Sequence, residues 1–225
     1  MLTNEKGVFI TGTDTDAGKT VVSAALVRAL VNKGLLVAGL KPIASGFELI
    51  DGSWCNEDVE ALTQASNVAL PAQRVNRYDF KPAIAPHIAA AQEGVSLELD
   101  LIKQDLDYAA GKADFVLIEG AGGWHVPLSS PGQQPVQDMQ SLAKCMNLPV
   151  IMVVGMRLGC INHAVLTANA ILQSGLPLLG WVANQVDPSF EYLKENISTL
   201  DSLLAVPRLF DVPFCSDVNA IDLSV

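Results

Sequence analysis

The sequence is poor in the residues that mark disulfide-rich or zinc-binding proteins. It has only four cysteines, Cys55, Cys145, Cys160 and Cys215, with no CxxC pair. The three histidines have no zinc-ligand spacing either. The cysteines are therefore expected to be reduced thiols in a cytoplasmic protein.

Basic residues and long apolar runs are also scarce. Fourteen lysines and arginines face 24 acidic residues, for a net charge of −10, which argues against nucleic-acid or anionic-membrane partners because both need a basic surface. No apolar run is long enough to span a bilayer, and no apolar signal segment follows the N-terminus. A soluble cytoplasmic protein is expected, in which a locally positive pocket can still bind an anionic ligand.

Hydrophobic residues, by contrast, make up half of the chain and recur in short runs between amphipathic stretches. This alternation predicts one doubly wound α/β domain over residues 1–225, with a mostly parallel sheet and helices on both faces. The predicted strands are 7–12, 35–42, 114–120, 149–155, 177–184 and 206–210. The predicted helices are 18–33, 56–66, 97–112, 137–147, 161–174 and 189–204. The Gly/Pro/Ser-rich segment 120–136 is expected to be a loop, either on the surface or at a ligand site.

The segment "GTDTDAGKT", residues 12–20, follows the first predicted strand and opens a helix. Backbone N–H groups at such a turn, together with the helix dipole, bind phosphate. Lys19 is expected to reach the β- and γ-phosphates, and Thr20 to provide a magnesium ligand. Five residues, not the usual four, separate Gly12 from Gly18, so Thr13 occupies the place of the first glycine.

Two carboxylates are candidates for completing a magnesium site, which requires hard oxygen ligands. Glu119 lies at the C-terminal end of a predicted buried strand, and Asp58 lies near the start of a predicted helix. Alternatively, Asp58 has no metal-binding role, since acidic residues are favoured in the first turn of any helix. A second cation, Lys41, follows the strand in "GLKPIASG" and is a candidate for stabilising charge on a transferring phosphoryl group.

The order and spacing of six segments resemble the dethiobiotin synthetase family. The resemblance covers most of residues 7–187 and is looser over 188–225. It implies ATP-dependent conversion of 7,8-diaminononanoate and CO2 to dethiobiotin, ADP and phosphate, through a carbamate and a carbamic–phosphoric anhydride. The segments are "GTDTDAGKT", "GLKPIASG", "APHIAAAQEG", "LIEGAGGWHVPLS", "VVGMRLGCINHA" and "GWVANQVD".

The resemblance also implies roles for individual residues. Lys19, Lys41, Thr15 and Ser45 would be catalytic, and Thr20, Asp58 and Glu119 would hold Mg2+. Asp16 stands where the family often has glutamate, so its role near metal or substrate amine stays open. The implied nucleotide-binding residues are Asp16, Ala17, Gly18, Lys19, Thr20, Val21, Asp58, Glu119, Gly120, Ala121, Gly122, Asn184, Gln185, Pro213 and Phe214. The implied substrate-binding residues are Lys41, Ser45, Gly159, Cys160 and Asn162.

The family further implies a homodimer, because the loop at 159–162 binds the substrate carboxylate in the neighbouring subunit's site. Asn184 would read the adenine edge, with Pro213 and Phe214 packed against the base. "NQVD", residues 184–187, also resembles the guanine-reading element of GTPases, which makes Asp187 a candidate for GTP recognition.

Three other classes of P-loop protein are compatible with parts of the pattern. ParA/MinD-like dimeric switches carry an extra lysine where this chain has Asp14, which disfavours that interpretation. Cobyrinate-type amide synthases append a glutaminase domain, for which the chain is too short. A small-molecule kinase is also compatible, but Lys41, Ser45 and the "EGAGG" segment match the ligase better.

Overall fold

A computed structural model describes residues 5–129, 132 and 135–214 of the chain. The described strands are β1 (Gly7–Gly12), β2 (Val37–Leu40), β3 (Ile43–Ser45), β4 (Glu48–Ile50), β5 (Ser53–Cys55), β6 (Tyr78–Phe80), β7 (Phe115–Gly123), β8 (Val150–Met156), β9 (Leu178–Gln185) and β10 (Arg208–Val212). The described α-helices are α1 (Lys19–Asn32), α2 (Glu57–Ala65), α3 (Ala72–Val75), α4 (Pro86–Glu93), α5 (Leu99–Ala110), α6 (Met139–Met146), α7 (Cys160–Gln173) and α8 (Leu193–Leu203).

Six strands form one parallel sheet in the order β10-β9-β8-β1-β7-β2. Every residue of β1 and β8 is buried, which explains their nearly continuous apolar sequences. Alternate residues belong to different cores, because successive side chains in a strand point to opposite faces. Val8 and Ile10 pack with α1 and α2 on one face, whereas Phe9 packs with α5 to α8 on the other.

The predicted doubly wound α/β fold is confirmed. All six predicted strands and six predicted helices occur, with ends that differ by a few residues. The strand predicted over 35–42 is too long, because β2 covers only Val37–Leu40. The loop predicted over 120–136 is wrong at its beginning, because β7 continues through Gly123 and pairs there with Gly12.

The short elements were not predicted from the sequence. They are helices α3 and α4, the parallel pair of β3 with β6, and the antiparallel hairpin of β4 with β5. Each strand has only three residues, which is too short to show a hydrophobic period. None of the described helices combines the length and the apolar character needed to cross a membrane.

Candidate functional site

The phosphate-loop candidate connects β1 to α1 through a single 3-10 turn at Thr15–Ala17. Gly18 begins α1 with a left-handed backbone, φ 76°. A Cβ atom at Gly18 would lie 2.0 Å from Asn184 Nδ2, so both conformation and space require glycine. The N–H of Thr13 donates to the carbonyl of Val153 (3.0 Å), which anchors the loop on β8.

Lys19 is buried at the first position of α1 and points back into the loop. Its Nζ donates to the carbonyl oxygens of Asp14 (3.2 Å) and Thr15 (3.1 Å). Burial and, to a smaller extent, the nearby Lys41 ammonium lower the pKa of Lys19 to about 8, although the surrounding carboxylates act to raise it. A phosphate group beside Lys19 would stabilise the charged form, since an opposite charge favours ionisation.

Thr20, Lys41, Asp58 and Glu119 come from four different elements and meet beside this loop. Glu119 lies on β7, which separates β1 from β2 and so links the phosphate loop to the end of β2. Its Oε1 accepts from Thr20 Oγ1 (2.7 Å) and from Lys41 Nζ (2.5 Å). Lys41 Nζ also donates to Asp58 Oδ2 (2.9 Å). The three oxygen-bearing residues predicted to hold magnesium therefore lie together, with Lys41 among them.

Charge in this cluster is balanced by pairing. Burial acts to lower the pKa of Lys41, but Glu119 and Asp58 outweigh that effect and raise it, so the side chain is an ammonium at neutral pH. Burial likewise acts to raise the pKa of Asp58, but Lys41 outweighs it and lowers the pKa. Asp58 is therefore a carboxylate at neutral pH.

The cluster also fits a nucleotide-bound divalent cation. It offers the Thr20 hydroxyl and two carboxylates, which are hard oxygen ligands. Glu119 is fully buried, yet its Oε2 has no hydrogen-bond partner among the described residues. Nowhere in the described part of the chain do three or more His, Cys, Asp or Glu side chains form a protein-only metal site. Phosphate oxygens and water would therefore complete the coordination, as is usual for Mg2+.

A cavity of about 370 Å³ adjoins the cluster. Seven of its lining residues belong to the predicted site: Thr15, Lys19, Lys41, Ser45, Asp58, Ala121 and Gly122. The hydroxyl of Ser45 is buried without a partner in the described structure, and so is free to bind a ligand. The remaining wall is apolar, and no role was predicted for its residues, which are Ala44, Ala83, Ile84, Ala85, Pro86 and Val126. Two of them, Ala85 and Pro86, begin the "APHIAAAQEG" segment.

The predicted adenine-binding residues gather on the opposite side of the loop. Asn184 is buried at the end of β9, and its Nδ2 donates to the carbonyl of Ala17 (2.9 Å). Gln185 Oε1 accepts from the N–H of Phe214 (3.4 Å), while the Phe214 side chain is exposed. Asp187, the candidate guanine reader, accepts from Ser189 Oγ at 2.6 Å and so caps a local turn.

The start of α7 does not line the cavity of the same chain. Gly159 precedes α7 with φ 95°, and Asn162 is exposed. Cys160 is buried, and its N–H donates to the carbonyl of Arg157 (3.0 Å). Among the described residues that line the cavity, none lies between 157 and 163.

The remaining predicted residues lie around the loop. Asp16 is exposed and is not among the described residues that line the cavity, and Val21 is partly buried in α1. Gly120 is closely packed, because a Cβ there would come within 3.1 Å of both Phe9 and Met139. Pro213 is exposed beside Phe214.

Comparison with known proteins gives a family match over nearly the whole chain. A family model described as an AAA domain matches residues 6–222. An ATP-dependent dethiobiotin synthetase, BioD of Nitrosospira multiformis, is 45% identical over 219 residues, which cover 97% of this chain and 93% of the relative. A second ATP-dependent dethiobiotin synthetase, BioD of Alteromonas mediterranea, is 44% identical over 221 residues, which cover 96% of this chain and 95% of the relative.

Solved structures with the same fold are more distant. A ParA family ATPase from Chlorobium tepidum has a TM-score of 0.55 and 13% identity, covering 94% of this chain and 86% of that one. The septum site-determining protein MinD of Pyrococcus horikoshii, complexed with Mg-ADP, has a TM-score of 0.53 and 16% identity, with coverage of 92% and 81%. At such low identities the likeness shows that the fold is shared, and it says nothing about activity.

Proposed function

This chain belongs to the dethiobiotin synthetase family, and from that membership and its site we propose that it is an ATP-dependent ring-closing ligase. It takes 7,8-diaminononanoate and CO2 to dethiobiotin, with ADP and phosphate as the other products. Residues 1–225 act as one ATP-binding ligase domain. The observation that carries the proposal is the buried Lys41, held 2.5 Å from Glu119 next to the phosphate loop.

The first chemical step needs no protein-bound intermediate. One amine of the substrate attacks CO2, forms an N–C bond and loses a proton, which leaves a carbamate anion. The buried ammonium of Lys41 supplies positive charge for that anion, and the free hydroxyl of Ser45 supplies a donor. Thr15, at the cavity wall, supplies a second hydroxyl.

The second step is phosphoryl transfer. A carbamate oxygen attacks the γ-phosphorus of ATP and the bond to ADP breaks, which gives a carbamic–phosphoric anhydride. Lys19 and Lys41 stabilise the charge that develops on the phosphoryl oxygens. Thr20, Asp58 and Glu119 would hold Mg2+, which would neutralise phosphate charge when bound.

The last step closes the ring. The second amine attacks the anhydride carbon, phosphate leaves, and the new C–N bond completes the ureido ring. The apolar wall at Ala83–Pro86 suits the alkyl chain of the substrate, because it buries methylene groups beside the polar cluster. This arrangement keeps the two amines near Ser45 and Lys41.

Among the described residues that line this cavity, the only cations are Lys19 and Lys41, which already serve the phosphate and the carbamate. We infer that Gly159, Cys160 and Asn162 of a second copy form the binding site of the substrate carboxylate, with donors from the N–H groups of the first turn of α7 other than that of Cys160, which donates to Arg157. The exposed side chains of Leu158 (91%), just before α7, and Leu166 (61%), on α7, are apolar groups available to such a homodimer contact. On the nucleotide side, Asn184 would read the adenine edge with its amide, with Gln185, Pro213 and Phe214 nearby.

The test is phosphate release from MgATP and bicarbonate, with and without diaminononanoate, with the product identified by mass. Release that requires the diamine and matches dethiobiotin formation is the expected result. Diamine-independent hydrolysis would favour the ParA/MinD-like switch. That alternative is supported by fold alone, and Asp14 replaces the lysine that such switches use.

A further inference from the structure

Asp14 places a negative charge inside the phosphate loop. Its backbone carbonyl accepts from Lys19 Nζ at 3.2 Å, and its carboxylate is close enough to affect the charge state of Lys19. Phosphate groups bound by this loop would repel an unpaired carboxylate there. A carboxylate at this position therefore needs a positively charged partner in the folded protein.

The guanidinium of Arg157, which directly follows β8, is that partner. Arg157 Nη2 donates to Asp14 Oδ2 at 2.7 Å, across 143 positions in the sequence. His163, in the first turn of α7, places its Nδ1 3.5 Å from the same oxygen. The other oxygen, Oδ1, is buried and has no hydrogen-bond partner in the described structure. The Asp14 carboxylate is therefore paired with the Arg157 guanidinium, and the His163 imidazole is its other neighbour among the described ion pairs.

The same contact joins two parts of the site. Asp14 belongs to the loop that binds phosphate, whereas Arg157 and His163 flank Gly159, which starts α7. The Arg157 carbonyl also accepts the N–H of Cys160 (3.0 Å), so the arginine is held at both its backbone and its guanidinium. The contact therefore links the phosphate loop to the start of α7.

We propose that Arg157 is a positioning residue for nucleotide binding, which cancels the charge of Asp14 beside the phosphates and ties the phosphate loop to the start of α7. The proposal rests on the proposed function only in taking ATP as the nucleotide. It does not require that the chain make dethiobiotin.

The experiment measures the Kd of a non-hydrolysable ATP analogue with Mg2+, by calorimetry and without diaminononanoate. Four variants are compared with the wild type: Arg157→Gln, Arg157→Lys, Asp14→Asn and the double variant Asp14→Asn/Arg157→Gln. Lys103→Gln, which removes an exposed ion pair within α5, is the matched control and should bind as the wild type does. A thermal melt of each variant checks that it is folded.

Arg157→Gln should weaken binding about tenfold, because it leaves a carboxylate uncompensated near bound phosphates. Arg157→Lys should retain most of the affinity. The double variant should recover to within about threefold of the wild type, since removing Asp14 removes the charge that Arg157 offsets. Binding of adenosine, which has no phosphates, should be the same in all variants.

Two results would overturn the proposal: unchanged affinity in Arg157→Gln, or a double variant as weak as Arg157→Gln alone. The second would mean that Arg157 acts through packing and not through the charge of Asp14. Because no variant is assayed for product, a wild type that fails to make dethiobiotin would refute the proposed function and leave this comparison intact.

Discussion

Lys41 is the residue on which the chemistry of the site depends most. Its ammonium is buried between Glu119 and Asp58, so its charge is maintained by two carboxylates from different elements. In the proposed mechanism this lysine has a structural role when metal is absent and a catalytic role when phosphate is present. The two roles can be separated by substitution.

Lys41→Ala should fold and bind nucleotide, but lose turnover by about a hundredfold or more, the usual cost of removing one group that stabilises transition-state charge. In the absence of metal it should also melt at lower temperature, because Glu119 is left buried without its cation. Mg2+ with ATP should restore much of the melting temperature. Lys33→Ala, an exposed lysine at the end of α1, is the control for both assays. Near-wild-type turnover would remove Lys41 from the mechanism.

Gly18 lies at a position that favours glycine, because its backbone has a positive φ and a Cβ would meet a neighbouring side chain. Gly18→Ala should weaken nucleotide binding at least about tenfold and lower the free energy of unfolding by roughly 1 kcal/mol or more, because Ala is strained at positive φ. Its Cβ would also meet Asn184 Nδ2 at 2.0 Å. Gly34→Ala is the control, since it has a similar φ of 86° but open space around it. Equal effects of the two substitutions on nucleotide affinity would contradict the steric part of the argument.

At the scale of elements, a buried carboxylate on α5 fastens the segment that follows α2. Asp105 is only 1% exposed and accepts from Arg74 Nη1 (2.6 Å) and Arg77 Nε (2.7 Å). Arg74 lies on α3, and Arg77 precedes β6, the partner of β3. This ion cluster thus lies next to the strand that pairs with β3, at whose end Ser45 faces the cavity.

Asp105→Asn should lower the free energy of unfolding by about 2 kcal/mol, below the range for fully buried pairs because both arginines retain contact with water. For a chain of this size that corresponds to a drop in melting temperature of roughly 4–8 °C. Asp107→Asn on the same helix is the control, because it breaks only the exposed pair with Lys103. Its cost should be about 0.3–0.5 kcal/mol. Equal melting temperatures for the two variants would mean that the ion pairs of Asp105 with Arg74 and Arg77 do not stabilise this segment.

At the scale of the whole molecule, Leu166 is a large apolar side chain on α7 that a single copy leaves exposed, next to the helix start proposed to bind the substrate carboxylate. Leu166→Glu should convert a dimer to a monomer in size-exclusion chromatography with light scattering, because it places a charge in an apolar contact. Turnover should fall while nucleotide binding is retained, if the carboxylate is bound by the second copy. Leu203→Glu, on the exposed side of α8, should leave both the mass and the turnover unchanged. A wild-type protein that is monomeric at assay concentration would refute the shared site.

Much of this protein is determined by its sequence alone. The six long strands and the helices between them follow from continuous apolar runs and from the change of period between strand and helix, which are local properties. The phosphate loop is equally local, since its glycine, lysine and threonine are consecutive at Gly18, Lys19 and Thr20. Resemblance to a family then identified distant residues, such as Asp58 and Glu119, as parts of one site.

Only the tertiary structure decided how those distant residues meet. The strand order places β7 between β1 and β2, so one oxygen of Glu119 contacts both Thr20 and Lys41, which no local pattern specifies. The partner of Asp14 was likewise invisible in the sequence, because Arg157 is 143 positions away and comes close only when β8 lies beside β1. Local sequence sets the period and the turns, whereas charge pairing across the sheet depends on which strands become neighbours.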